Sequence, residues 1–107
     1  MRGDRKKRIE EQLQQIAAEF FKVHASRTAL LTVTRADVSR DFKNATIYFT
    51  VLPESKENAA LAFAKRRGSE LRQFAKKQLN LKTIPFFSFK IDRGEKNFYS
   101  IIEGLND

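Results

Sequence analysis

Ile9, Leu13, Ile16, Phe20 and Val23 recur at steps of 4, 3, 4 and 3. That spacing predicts an amphipathic helix over about residues 5–24. Glu10, Glu11, Gln12, Gln14, Gln15 and Glu19 fall off that face, and Asp4 is placed to cap its start. His24, the single histidine, sits at the helix end as a favourable dipole partner. The period then changes. Residues 29–39 are β-branched and alternating, which predicts a strand. Residues 39–44 are polar, with Asp41 and Asn44 at turn positions, and predict a hairpin loop. Residues 45–52 predict a second strand, with Ala45, Ile47, Phe49 and Val51 on one face and Thr46, Tyr48 and Thr50 on the other. Pro53 ends it, and Ser55 is placed as the N-cap of a helix beginning near Lys56.

A helical phase follows through Leu61, Ala64, Gly68, Leu71, Ala75 and Leu79, at steps of 3, 4, 3, 4 and 4, with Phe63 and Phe74 widening it. Gly68 lies mid-face, where glycine costs about 1 kcal/mol relative to alanine. The segment therefore predicts two helices that meet, with a bend between Arg66 and Glu70 and a stop at Asn80. Pro85 opens a third strand over residues 86–92, with Phe87, Phe89 and Ile91 buried, and Arg93-Gly94 reads as a turn. Phe98, Ile101, Ile102 and Leu105 predict a short C-terminal helix or packed tail. The order αββααβ describes an α+β fold. A hairpin and a right-handed helical crossover give a three-stranded mixed sheet with helices packed on one face. Residues 1–107 form a single domain by length.

Charge changes the picture. The net charge is +8, and it is segregated. Residues 1–8 carry five basic residues against Asp4, a net of +4; residues 65–82 carry seven against Glu70, a net of +6. The remainder has nine basic and eleven acidic residues, a net of −2. If folding joins the two segments, they form an electrostatic footprint for a polyanion. The absence of cysteine excludes disulfides, thiol nucleophiles and cysteine-based metal sites, and it fits a reducing compartment. No apolar run reaches membrane-spanning length, and the basic start has no apolar region behind it. A cytoplasmic location without membrane contact is expected, with the basic segment 1–8 partly disordered.

The element order resembles a type II KH domain, and within that group the residues resemble the ribosome-binding factor A family. Residues 35–48, Leu71-Arg72 and residues 79–92 carry the likeness. The last of these follows the pattern Leu-x-Leu-basic-x-x-Pro-x-apolar-x-Phe-x-x-Asp through Leu79, Leu81, Lys82, Pro85, Phe87, Phe89 and Asp92. An RNA-binding KH domain has Gly-x-x-Gly between its two helices, where backbone approaches phosphate; this chain has no such motif. The family instead has an Ala-x-Gly kink. Counted back from Pro85, it falls on Arg67, Gly68 and Ser69, with arginine for the alanine and the glycine one position early. The resemblance implies a cytoplasmic assembly factor that binds the free small (30S) ribosomal subunit and its 16S ribosomal RNA or precursor. It further implies a role in late rRNA maturation and in adaptation to cold.

Without Gly-x-x-Gly, the expected recognition is of phosphates and shape by lysine and arginine. The candidate RNA-binding residues are Arg5, Lys6, Lys7 and Arg8, then Lys65, Arg66, Arg67, Arg72, Lys76, Lys77 and Lys82 around and after the helix junction. Tyr48 reads as packing before base stacking. The expected protein is a monomer without cofactor, metal or small-molecule substrate. The alternative is a generic KH-like module for single-stranded RNA, independent of the ribosome. An enzyme has little support: there is one histidine and no nucleotide-binding loop, and Asp37, Asp41 and Asp92 lack metal-ligand spacing.

Overall fold

A computed structural model describes residues 2–23 and 29–94. The elements are α1 (Arg2–Val23), β1 (Leu30–Val38), β2 (Asn44–Leu52), a short 3₁₀ turn (Glu54–Lys56), α2 (Glu57–Arg66), α3 (Gly68–Gln78) and β3 (Phe86–Ile91). The sheet order is β1-β2-β3, with β1 antiparallel and β3 parallel to the central β2. This is the mixed αββααβ arrangement expected from the hydrophobic pattern. The expected C-terminal helix through Phe98 and Leu105, and the role given to His24, lie outside the described residues.

β2 alternates as its sequence does. Ala45, Ile47, Phe49 and Val51 are buried beneath the helices, while Thr46 and Tyr48 are half-buried and Thr50 is exposed on the other face. The core continues through Leu13, Ala17, Phe20 and Phe21 of α1, Ala60 and Ala64 of α2, Leu71 and Ala75 of α3, and Phe89 of β3. Aromatic edges fasten the layers. Phe21 meets Phe89 at 5.8 Å, nearly perpendicular, and Phe20 meets Phe74 at 5.8 Å.

Two caps differ from expectation. α1 begins at Arg2, so Asp4 lies within its first turn, whereas an N-cap must stand outside the helix. Ser55 is likewise inside the 3₁₀ turn that follows the extended Pro53, and α2 starts after Lys56 with no side-chain cap. β1 carries a further irregularity, a bulge between Val33 and Arg35. It moves the buried phase from Val33 to Ala36 and Val38. From α1, Gln14 Nε2 donates to Thr34 O (2.9 Å) beside the bulge, and Glu10 Oε2 accepts from Val38 N–H (2.8 Å) at the strand's end.

The same bulge presents Thr34 to Asp92, just beyond β3. The Thr34 hydroxyl donates to Asp92 Oδ2 (2.5 Å), and Gly94 N–H donates to Oδ1 (2.8 Å). The carboxylate thus ties β1 to the end of β3 across the central strand. The Thr34 hydroxyl, then the Gly94 N–H, hold the Asp92 carboxyl below its usual range against the opposing effect of burial. A lowered folded pKa stabilises above the unfolded value and is lost as pH falls through the folded one. Asp92→Ala is expected to cost about 1 kcal/mol at neutral pH, the value for a charged hydrogen bond discounted for partial exposure. Urea midpoints at about pH 7 and about pH 3 check this. The wild-type advantage should shrink at the lower pH; an equal difference at both rules out the charged bond as its source.

Candidate nucleic-acid interface

The break between α2 and α3 falls on Arg67, inside the expected window. Its backbone, at φ −93° and ψ 3°, leaves the helical region. Arg67 N–H closes α2 on Phe63 O (3.2 Å) and Ala64 O (3.0 Å), and Arg67 O accepts the Leu71 N–H that opens α3 (2.9 Å). Gly68 is already helical. A Cβ there would meet Phe89 Cε2 at 3.7 Å, an ordinary contact. The bend therefore belongs to Arg67 and does not require the glycine. Gly68→Ala is expected to raise stability by about 0.5–1 kcal/mol through helix propensity and a stiffer unfolded chain. A lower denaturation midpoint would mean that the glycine itself shapes the junction.

The basic candidates sort by position. Lys65 and Arg66 are exposed on the last turn of α2, where cations suit the helix dipole. Arg67 reaches Glu70 with bonds of 2.8 and 3.1 Å and lies 5.5 Å from the Phe63 ring, so its charge is already matched. Arg72 is half-buried. Its Nε and Nη2 donate to Ile84 O at 3.3 and 3.1 Å, and its guanidinium lies 4.2 Å over Phe86. Lys76 and Lys77 are exposed on the last turn of α3, and Lys82 is exposed in the connection to β3. On α1, Arg5, Lys7 and Arg8 are exposed and Lys6 is half-buried.

The hairpin loop joins the two basic segments. Ser39 N–H donates to Asn44 O (2.8 Å), closing the loop. Asp41 Oδ1 accepts from Ser39 Oγ (2.7 Å) and Lys43 N–H (3.1 Å); these bonds, the first foremost, lower the Asp41 pKa. Phe42 takes a left-handed conformation, φ 60°, uncommon for a bulky residue. Its ring receives the Arg5 guanidinium at 5.5 Å. The next residue, Lys43, accepts the Phe86 N–H at its carbonyl (2.9 Å), and Phe86 carries Arg72. A path of direct contacts therefore runs from Arg5 through the hairpin to Arg72. Exposed Lys43 lies on it and exposed Arg40 stands in the same hairpin loop; neither stood out in the sequence because they fall in its net-acidic remainder. Acidic Glu54, Glu57 and Asp92 gather with Arg93 at the end of β2 away from this hairpin. The cations of the path and this acidic group thus lie at opposite ends of the strands, with Asp41 the carboxylate inside the hairpin.

Tyr48 already carries the Arg35 guanidinium 4.1 Å over its ring, so that ring face is taken. Among the described residues no group of three or more histidine and acidic side chains could hold a metal, and no helix is long and apolar enough to cross a membrane.

The fold and its basic end define a small α+β domain of the KH-like type, with the helix–helix junction but not the glycine pair of RNA-clamping KH domains. Residues 5–104 match the family ribosome-binding factor A. The chain belongs to that family. It is 32% identical over 109 residues to the ribosome-binding factor A of Blochmanniella floridana, covering 97% of this chain and 88% of that protein. The crystal structure of ribosome-binding factor A from Thermus thermophilus has the same fold, with a TM-score of 0.74 at 24% identity over 80% of this chain and 93% of that one. A homology model of the Thermus thermophilus factor, fitted into the cryo-EM map of its 30S complex, gives a TM-score of 0.69 at 24% identity over 78% and 90% of the two chains.

Proposed function

We propose that this protein is a non-catalytic assembly factor that binds the free small ribosomal subunit and promotes late maturation of 16S rRNA. It acts as a cytoplasmic monomer, through phosphate and shape recognition by its basic end. Family membership supports the ribosomal target, as does the 30S complex of the Thermus thermophilus relative. The observation that carries the mechanism is the contact path from Arg5 through Phe42, Lys43 and Phe86 to Arg72, which unites charges distant in sequence. Lys7, Arg8, Lys65, Arg66, Lys76, Lys77 and Lys82 supply exposed cations around it. Such a factor favours one rRNA conformation only by binding it better than its competitors. Release follows when the mature subunit reshapes the site.

Sedimentation with purified ribosomal particles at low salt tests this reading. The protein should travel with free small subunits and not with whole ribosomes. If it stays at the top of the gradient in both cases, the reading fails. Equal affinity for the subunit and for unstructured oligonucleotides would instead favour a general single-stranded RNA module.

A further inference from the structure

α3 has two faces with different work. Leu71 and Ala75 enter the core, whereas Ser69, Arg72, Gln73 and Lys76, at i, i+3, i+4 and i+7, line one wall of a cleft. The chain between α3 and β3 forms the opposite wall, with Lys82 and Thr83. The cleft encloses about 320 Å³.

Three features distinguish it from a merely charged surface. First, it is lined by three cations and no carboxylate. The Glu70 carboxylate on the first turn of α3 is held by Arg67 at 2.8 Å. Second, Arg72 is preorganised. Two of its N–H donors are fixed on Ile84 O and its plane rests on Phe86, which leaves three of its five donors to serve a ligand from a fixed position. Third, the neutral groups are those that complete a phosphate shell: the hydroxyls of Ser69 and Thr83 and the amide of Gln73.

We propose that this cleft is a phosphate subsite that seats one phosphodiester group of an RNA strand, with Arg72 as the fixed donor and Lys76 and Lys82 closing on it from opposite walls. The proposal rests on the RNA-binding function above and assigns it a location. The adjoining Lys43 and Arg5 then contact the strand further along. Lys76 and Lys82 are exposed, so their removal leaves the core intact, whereas Arg72 also fastens the loop.

The test uses the full chain and the double variant Lys76→Gln/Lys82→Gln. Lys22→Gln/Lys56→Gln serves as a control that removes equal charge at exposed sites away from the basic end. Affinity is measured for purified small subunits and for a short unstructured oligoribonucleotide. Amide shifts are followed during titration with the oligonucleotide, with AMP and with inorganic phosphate. The cleft variant should bind RNA about tenfold or more weakly, with a salt slope reduced by about one to two, and the control should change less than about twofold. Wild-type shifts should centre on Ser69, Gln73, Lys82 and Thr83. Cleft and control variants of equal affinity, or RNA shifts confined to other surfaces, overturn the subsite and leave RNA binding standing. Inorganic phosphate or AMP that occupies the cleft and is not displaced by RNA also overturns it. Wild-type protein that binds neither RNA nor subunits overturns the underlying function instead.

Discussion

Phe49→Ala should lower the stability of the domain by about 3–5 kcal/mol, the cost of truncating a buried aromatic. Phe49 is 0% exposed and lies in the central strand, paired with Val33 on β1 and Ile91 on β3. A central strand has no free edge along which its neighbours can relax, so little of the cavity should close. A domain of this size has about 5–15 kcal/mol in total. The variant should therefore unfold at a much lower urea midpoint, with the slope unchanged. A loss below about 1 kcal/mol would mean that Phe49 does not sit at the centre of the core.

Reversing Arg5, Arg8, Arg40 and Lys43 to Glu should weaken binding to small subunits by about 100-fold or more at low salt, while shifting the urea midpoint little. All four are exposed, and among the described residues only Arg5 has a ring contact to lose. Each reversal replaces an attraction for phosphate with a repulsion, and several together remove a large share of the counterion-release free energy. The prediction separates the spatial path from the two sequence segments, because Arg40 and Lys43 belong to neither. If reversal of those two alone changes nothing while Arg5 and Arg8 carry the full effect, the hairpin is not part of the interface.

The layers of the fold were readable because its periods are regular. The α1 stripe, the alternation of β2 and the stripe through Leu71 and Ala75 each belong to a buried face, and burial imposes the period. The β1 bulge left a trace, since apolar residues change from odd positions at Leu31 and Val33 to even ones at Ala36 and Val38. Helix starts were less legible. Asp4 and Ser55 have suitable side chains, but capping depends on backbone conformation, which residue type alone does not set.

The interface was legible as charge and illegible as geometry. Lys65, Arg66, Lys76, Lys77 and Lys82 could be marked by clustering. That Arg67 pairs with Glu70 was available from their i, i+3 spacing; that Arg72 is pinned to Ile84 required the α3–β3 connection to be placed. Gln73 carried no charge to attract notice, yet its spacing from Ser69 and Lys76 puts it on the cleft face. Gly68 misleads in the other direction. It marks the junction in sequence, while the conformational change sits one residue earlier at Arg67.

We propose that the basic end does the work of this protein by meeting phosphates. The salt dependence of affinity for purified small subunits tests it most directly. If about six or more phosphates are neutralised, affinity should fall by about 1000-fold or more between about 50 and about 200 mM salt, along a straight line in log–log form. An affinity that stays flat across that range would contradict the account.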